Sequence, residues 1–163
     1  MNFRVWNLSL GWFAFAVSLI SYLLTVEPTA SYWDCGEYIS TSAKLQVGHP
    51  PGAPFFQMVG AVLAVFAPSA EYIALSVNMT SVFASSLTVL FLFWTITGIA
   101  QRLLHKQIND SFIQILVLVA GLVGALGFAY TDSFWYNAVE AEVYAMATCI
   151  MSILFWLGLR WGS

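Results

Sequence analysis

The residues able to do chemistry fall in two short stretches. The first, Ser31 to Pro54, reads SYWDCGEYISTSAKLQVGHPPGAP and brings together Asp34, Glu37, Lys44 and His49. The second, Thr131 to Glu142, reads TDSFWYNAVEAE and ends on Glu140 and Glu142. A carboxylate can act as a general base, and more readily when partly withdrawn from water. Asp34, between Trp33 and Tyr38, is the residue expected to be so placed. Asp34 and Glu37 are three apart, so a helix that begins early puts them on one face. The residues from Glu37 to Val47 predict a short helix with Ile39, Ala43 and Val47 on one stripe, suited to a membrane surface. GHPPGAP then stops it, because tandem prolines fix the backbone and remove donors. His49 sits at that corner, where it either caps the turn or assists at a phosphate. Glu140 and Glu142 are two apart and would diverge on a regular helix. Glu27 and Glu71 read as ordinary solvated acids.

The surrounding chain must hold these groups in lipid. Of 163 residues, 60% are apolar and only 8% charged, against about 25% charged in a water-soluble domain. Mean hydropathy is +0.81. Four segments are long enough to cross a bilayer, which takes about 20 apolar residues: 5–26, 73–101, 112–130 and 143–161. The first outlasts the 7–15-residue core of a cleavable signal and has no convincing cleavage site, so it reads as an uncleaved span. A further apolar piece, 54–67, lies between Pro54 and Pro68 and is too short to cross. The expected architecture is therefore an all-α integral-membrane module, 1–163, with external loops 27–72 and 131–142 and juxtamembrane helices in the first.

Charge supports that count. With the N-terminus inside, Arg4, Arg102, Lys106 and Arg160 fall on the inner side and only Lys44 outside, as the positive-inside rule requires. All acids but Asp110 are then external. No basic patch exists, which argues against a nucleic-acid partner. Cys35 and Cys149 sit in different contexts and read as free thiols. Gly121, Gly124 and Gly127 form a small-residue stripe for close helix packing. The Asn78-Met-Thr80 sequon begins inside a span and reads as unused. No ionisable residue lies deep in a span, which counts against a transporter or channel; a non-catalytic membrane scaffold stays open. The end shortly after the fourth span suggests the N-terminal part of a longer chain.

WDCGEY followed by GHPPGAPFF resembles the first external loop of the C-type glycosyltransferases, which use polyprenyl-phosphate sugars. It is most similar to a membrane family of protein O-mannosyltransferase-like proteins, and FWYNAVEAEVYA resembles that family's second external motif. The resemblance implies a multi-pass enzyme of the bacterial inner membrane or endoplasmic reticulum, with its active face external or lumenal. It would transfer a sugar, mannose favoured, from a polyprenyl- or dolichyl-phosphate to an acceptor hydroxyl on a protein or glycan. By the same resemblance Asp34 is the base of an inverting single displacement, supported by Glu37. His49 and Lys44 would face the phosphate, and Glu140 and Glu142 would position the acceptor or hold a divalent cation, Mg2+ or Mn2+. Many relatives carry a second acid directly after the aspartate; here that position is Cys35, which weakens the case for a metal.

Overall fold

The computed structural model describes residues 2–50, 52–104 and 110–161. The described chain is helical throughout. Four helices are long and apolar enough to cross a membrane: α1 (Phe3–Thr25), α4 (Ile73–Leu103, led in by a 3-10 turn at Ala70–Tyr72), α5 (Ser111–Ala129) and α7 (Val143–Trp161). Three shorter helices, α2 (Cys35–Lys44), α3 (Pro54–Val65) and α6 (Asp132–Ala138), lie in the connections. Each long helix begins and ends within about two residues of its sequence-predicted span. Lys106 lies outside the described residues, as do Pro51 of the tandem-proline corner and the last two residues.

α4 is the hub, packing against α1, α5 and α7. Its 31 residues make a rod of about 46 Å, longer than the ~30 Å hydrocarbon layer. Its buried face is rich in small polar residues (Asn78, Thr80, Ser81, Ser85, Ser86, Thr88). In lipid this is the expected inversion: small residues let backbones approach, while large apolar side chains face the solvent, which is itself apolar. Several of these hydroxyls return to their own helix, as Ser86 does to the Val82 carbonyl at 2.8 Å and Thr88 to Ala84 at 3.0 Å. That satisfies them without a partner helix.

The glycine stripe of α5 serves this packing only in part. A side-chain carbon at Gly121 would collide with Thr97 and Phe93, and one at Gly124 would come within 2.8 Å of Ile96, but Gly127 opens onto space. A three-residue step falls 60° short of a full helical turn, so the third glycine has rotated off the α4 contact. The end of α5 is instead held by Tyr22 of α1, whose hydroxyl donates to the Ala129 carbonyl at 2.8 Å.

α3 is 12 residues, about 18 Å, and does not span. It buries Phe56, Gln57 and Gly60 while Phe55, Met58 and Val65 stay exposed. α2 turns a face other than the apolar stripe into the bundle. Its buried residues are Cys35, Tyr38, Thr41 and Ser42; Ile39 is half-buried, and Ala43 and Val47 are exposed. The helix also ends earlier than 47, because Leu45 takes a left-handed conformation (φ 49) that terminates it. Among the aromatics of the second loop, Phe134 is buried against Tyr22 and Phe128, so α6 packs on the end of the bundle.

Candidate carboxylate site at one end of the bundle

α2 starts at Cys35, so Asp34 and Glu37 stand three apart at its first turn. The next loop brings His49 back over them. The His49 backbone N–H donates to Glu37 Oε1 at 2.6 Å, and its Nδ1 lies 2.8 Å from Glu37 Oε2. Its other ring nitrogen, Nε2, is 4.0 Å from Asp34 Oδ2. Glu37 can come this close because Gly48 has no side chain: a carbon there would sit 2.8 Å from Oε1. The corner itself closes with the Gly52 N–H donating to the His49 carbonyl at 2.8 Å, Gly52 supplying the φ of 75°. His49 thus both shapes the turn and reaches the acids.

The electrostatics follow. The hydrogen bonds and charge of Glu37 raise the His49 pKa above its ordinary 6.5, and His49 in turn lowers Glu37 below 4.5. Each favours the charged form of the other. The signs give a window. The His49 contribution to stability is complete below pH 6.5 and is lost as pH rises through its raised folded value. The Glu37 contribution is complete above pH 4.5 and is lost as pH falls through its lowered value.

Asp34 is not the acid withdrawn from water. Its side chain is 53% exposed, and Trp33 beside it is 89% exposed in a left-handed conformation, φ 59. The desolvated acids are Glu140 and Glu142, at 4% and 6% exposure. They lie in the bent segment between α6 and α7 and not on a helix, so the divergence expected of residues two apart does not apply. Ser81 of α4 pins this segment, accepting from the Glu142 N–H at 3.2 Å and lying 3.4 Å from its carbonyl. Burial, with the nearby charges of Glu140 and Asp34, pushes Glu142 up to about 7. Burial also raises Glu140, against the hydrogen bond it accepts from Ser31.

Two contacts bind the loops together. The Ser31 hydroxyl donates to Glu140, and the Glu27 N–H donates to the Val139 carbonyl at 2.9 Å. Asp34 lies three residues from Ser31, within about 11 Å of chain. Tyr38, buried between the clusters, is raised by burial and then by the negative charges of Glu142, Asp34 and Glu37. The two acidic stretches therefore form one site. Lys44 is exposed seven residues beyond Glu37 and makes no hydrogen bond or ion pair among the described residues.

The sequence reading passed over the supports. Asn78 donates to the carbonyls of Glu27 at 2.6 Å and Thr29 at 3.0 Å and is buried, which also accounts for the sequon. Cys35 is fully buried with its Sγ 3.7 Å from Asn78 Oδ1, so an acid at that position would point into the bundle. The run of Asn, Ser and Thr inside an apolar span was the available signal for these residues. Both cysteines are free.

Asp34, Glu37 and His49 offer ligand atoms within 4.8 Å of one another. Two carboxylates and one imidazole suit Mn2+ better than Mg2+, which prefers oxygen alone. A metal would have to displace the proton that Glu37 favours on His49.

Fold and site together describe a four-span membrane protein that carries Asp34, Glu37, His49, Glu140 and Glu142 at one end of the bundle. The chain belongs to the family described as protein O-mannosyl-transferase TMEM260 N-terminal domain, which matches residues 34–163. It is 26% identical over 141 residues to the protein O-mannosyl-transferase tmem260 of Dictyostelium discoideum, covering 86% of this chain and 15% of that protein. It is 23% identical over 146 residues to the protein O-mannosyl-transferase TMEM260 of Mus musculus, covering 90% of this chain and 18% of that protein. The chain thus spans less than a fifth of the length of these curated relatives. No solved structure matches it.

Proposed function

We propose that this chain supplies the acid-bearing end of a membrane protein O-mannosyltransferase, working on the external or lumenal face. It acts on a polyprenyl- or dolichyl-phosphate sugar and a hydroxyl of an acceptor protein. Asp34, exposed at the rim, accepts the acceptor's proton while that oxygen attacks the anomeric carbon. The bond from that carbon to the phosphate oxygen breaks, the lipid phosphate leaves with the electron pair, and the configuration inverts. Glu37 favours the protonated form of His49, whose ring nitrogen stands 4.0 Å from Asp34 and in that form offers positive charge to the phosphate. Lys44 is the second nearby cation. Glu142, with a pKa of about 7, exchanges its proton near neutral pH and with Glu140 lines the acceptor side. A divalent cation that displaced the His49 proton would be held by Asp34, Glu37 and His49 and would offset the same phosphate charge in place of the imidazolium.

The observation that supports this most is the fusion of the two acidic stretches through Ser31 and Glu140, which sets a solvent-open carboxylate beside a buried, proton-exchanging one. The test is transfer of labelled mannose from the lipid phosphate to an acceptor peptide by the membrane-inserted protein. Removing a general base costs about 10²–10⁴-fold in rate, so D34N should lose at least about 100-fold while melting as wild type does. Undiminished transfer by D34N would remove the proposed base.

A further inference from the structure

A cleft opens at the other end of the bundle. It measures about 670 Å3 and is lined by Arg4, Arg102 and Arg160 with Asn7, Trp94 and Trp156 among its walls. Ser81, which holds Glu142, and Arg102 are 21 residues apart on α4, about 31 Å along the axis. That is the thickness of a hydrocarbon layer, so this cleft opens at the opposite membrane surface from the carboxylates. The three arginines come from three different helices: the first turn of α1 and the last turns of α4 and α7. Among the described residues, no acid lines the cleft.

Two of these cations are already held in place. The Arg102 guanidinium donates to the Leu159 carbonyl at the end of α7, and Arg160 stands over the Trp156 ring at 5.1 Å. Arg4 has no hydrogen bond or ion pair among the described residues. Asn7 carries a buried side-chain oxygen with no hydrogen-bond partner. Three positive charges around a cleft at the lipid surface match the phosphate of a headgroup that brings no cation of its own. Trp94, Trp156 and Leu8 give the apolar wall that a glycerol backbone would lie against.

We infer that this cleft binds the headgroup of an anionic glycerophospholipid in the leaflet opposite the acidic site. The arginines take the phosphate. The experiment is thermal unfolding of the detergent-purified protein in micelles doped with phosphatidylglycerol, with phosphatidylcholine, or with inorganic phosphate alone. Phosphatidylglycerol at about ten times its dissociation constant should raise Tm by about 3 °C, and the other two should not. The rise should shrink with salt. It should vanish in R4Q/R160Q and also in G98F. Gly98 lines the cleft and has no neighbour closer than 3.8 Å, so the ring fills the cleft while every arginine stays. D34N should keep the rise in full. An equal rise with phosphatidylcholine, an equal rise with phosphate, or a rise that survives in G98F would each overturn the assignment. If R4Q/R160Q fails to insert, G98F alone decides.

Discussion

The two halves of the site treat the same functional group in opposite ways. In the Asp34–Glu37–His49 half the carboxylates are open to water, and an imidazole between them supplies the compensating charge. In the Glu140–Glu142 half the carboxylates are buried and form no ion pair among the described residues, so burial raises the pKa of both. Desolvation without a partner moves a carboxyl towards neutrality, whereas a hydrogen-bonded histidine moves it towards charge. Two loops of similar composition thus yield one pair, Glu37 and His49, shifted towards charge and one pair, Glu140 and Glu142, shifted towards neutrality. The difference comes from position: α2 lies on the rim, while the segment before α7 is pressed against α4.

The sharpest way to break this contrast is E142Q. The folded pKa of about 7 against an ordinary 4.5 corresponds to a penalty of up to about 3 kcal/mol for holding the ionised form. The raised pKa means that stability is greatest below pH 4.5 and falls as pH rises through 7. Melting curves from pH 4 to 9 should show that decline in wild type. E142Q should flatten it and be the more stable protein at pH 8.

S31A should have a smaller effect. It leaves buried Glu140 without its hydroxyl partner, at a cost of about 1 kcal/mol, and should raise the Glu140 pKa further, since the bond from Ser31 now lowers it. Melting at pH 5 and pH 8 reads both effects, the loss being greater at pH 8. E37Q should hardly change Tm, because the pair it breaks is solvent-exposed. It should still lower the His49 pKa towards 6.5, as followed by imidazole NMR shifts. A His49 titration identical in wild type and E37Q would contradict the pairing.

The sequence made the spans legible because an apolar run of sufficient length has one stable fate in a bilayer. Hence 143–161 reappears as Val143–Trp161 and 112–130 as Ser111–Ala129. It also placed Asp34 and Glu37 on one helical face with His49 at the corner. It did not show which residues of α2 turn into the bundle. Thr41 accepts from Gln57 of α3, Ser42 packs on Gly60 of α3, and Cys35 reaches Asn78 of α4. These contacts come from elements distant in sequence. The burial of Glu140 and Glu142 was not readable either. It depends on a bend after α6 and on Ser81, 61 residues away in sequence, and neither leaves a local periodic signal.

The central claim is that both acidic stretches share one electrostatic environment, and the Glu142 titration reads it most directly. In infrared spectra of the membrane-inserted protein, the carboxyl band absent from E142Q belongs to Glu142. In wild type that band should disappear with a midpoint near pH 7. In D34N the midpoint should fall, because the negative charge of Asp34 is one of the causes holding it up. A midpoint that stays where it is in D34N would mean that Asp34 and Glu142 do not sense each other, and the single site would be two unrelated loops.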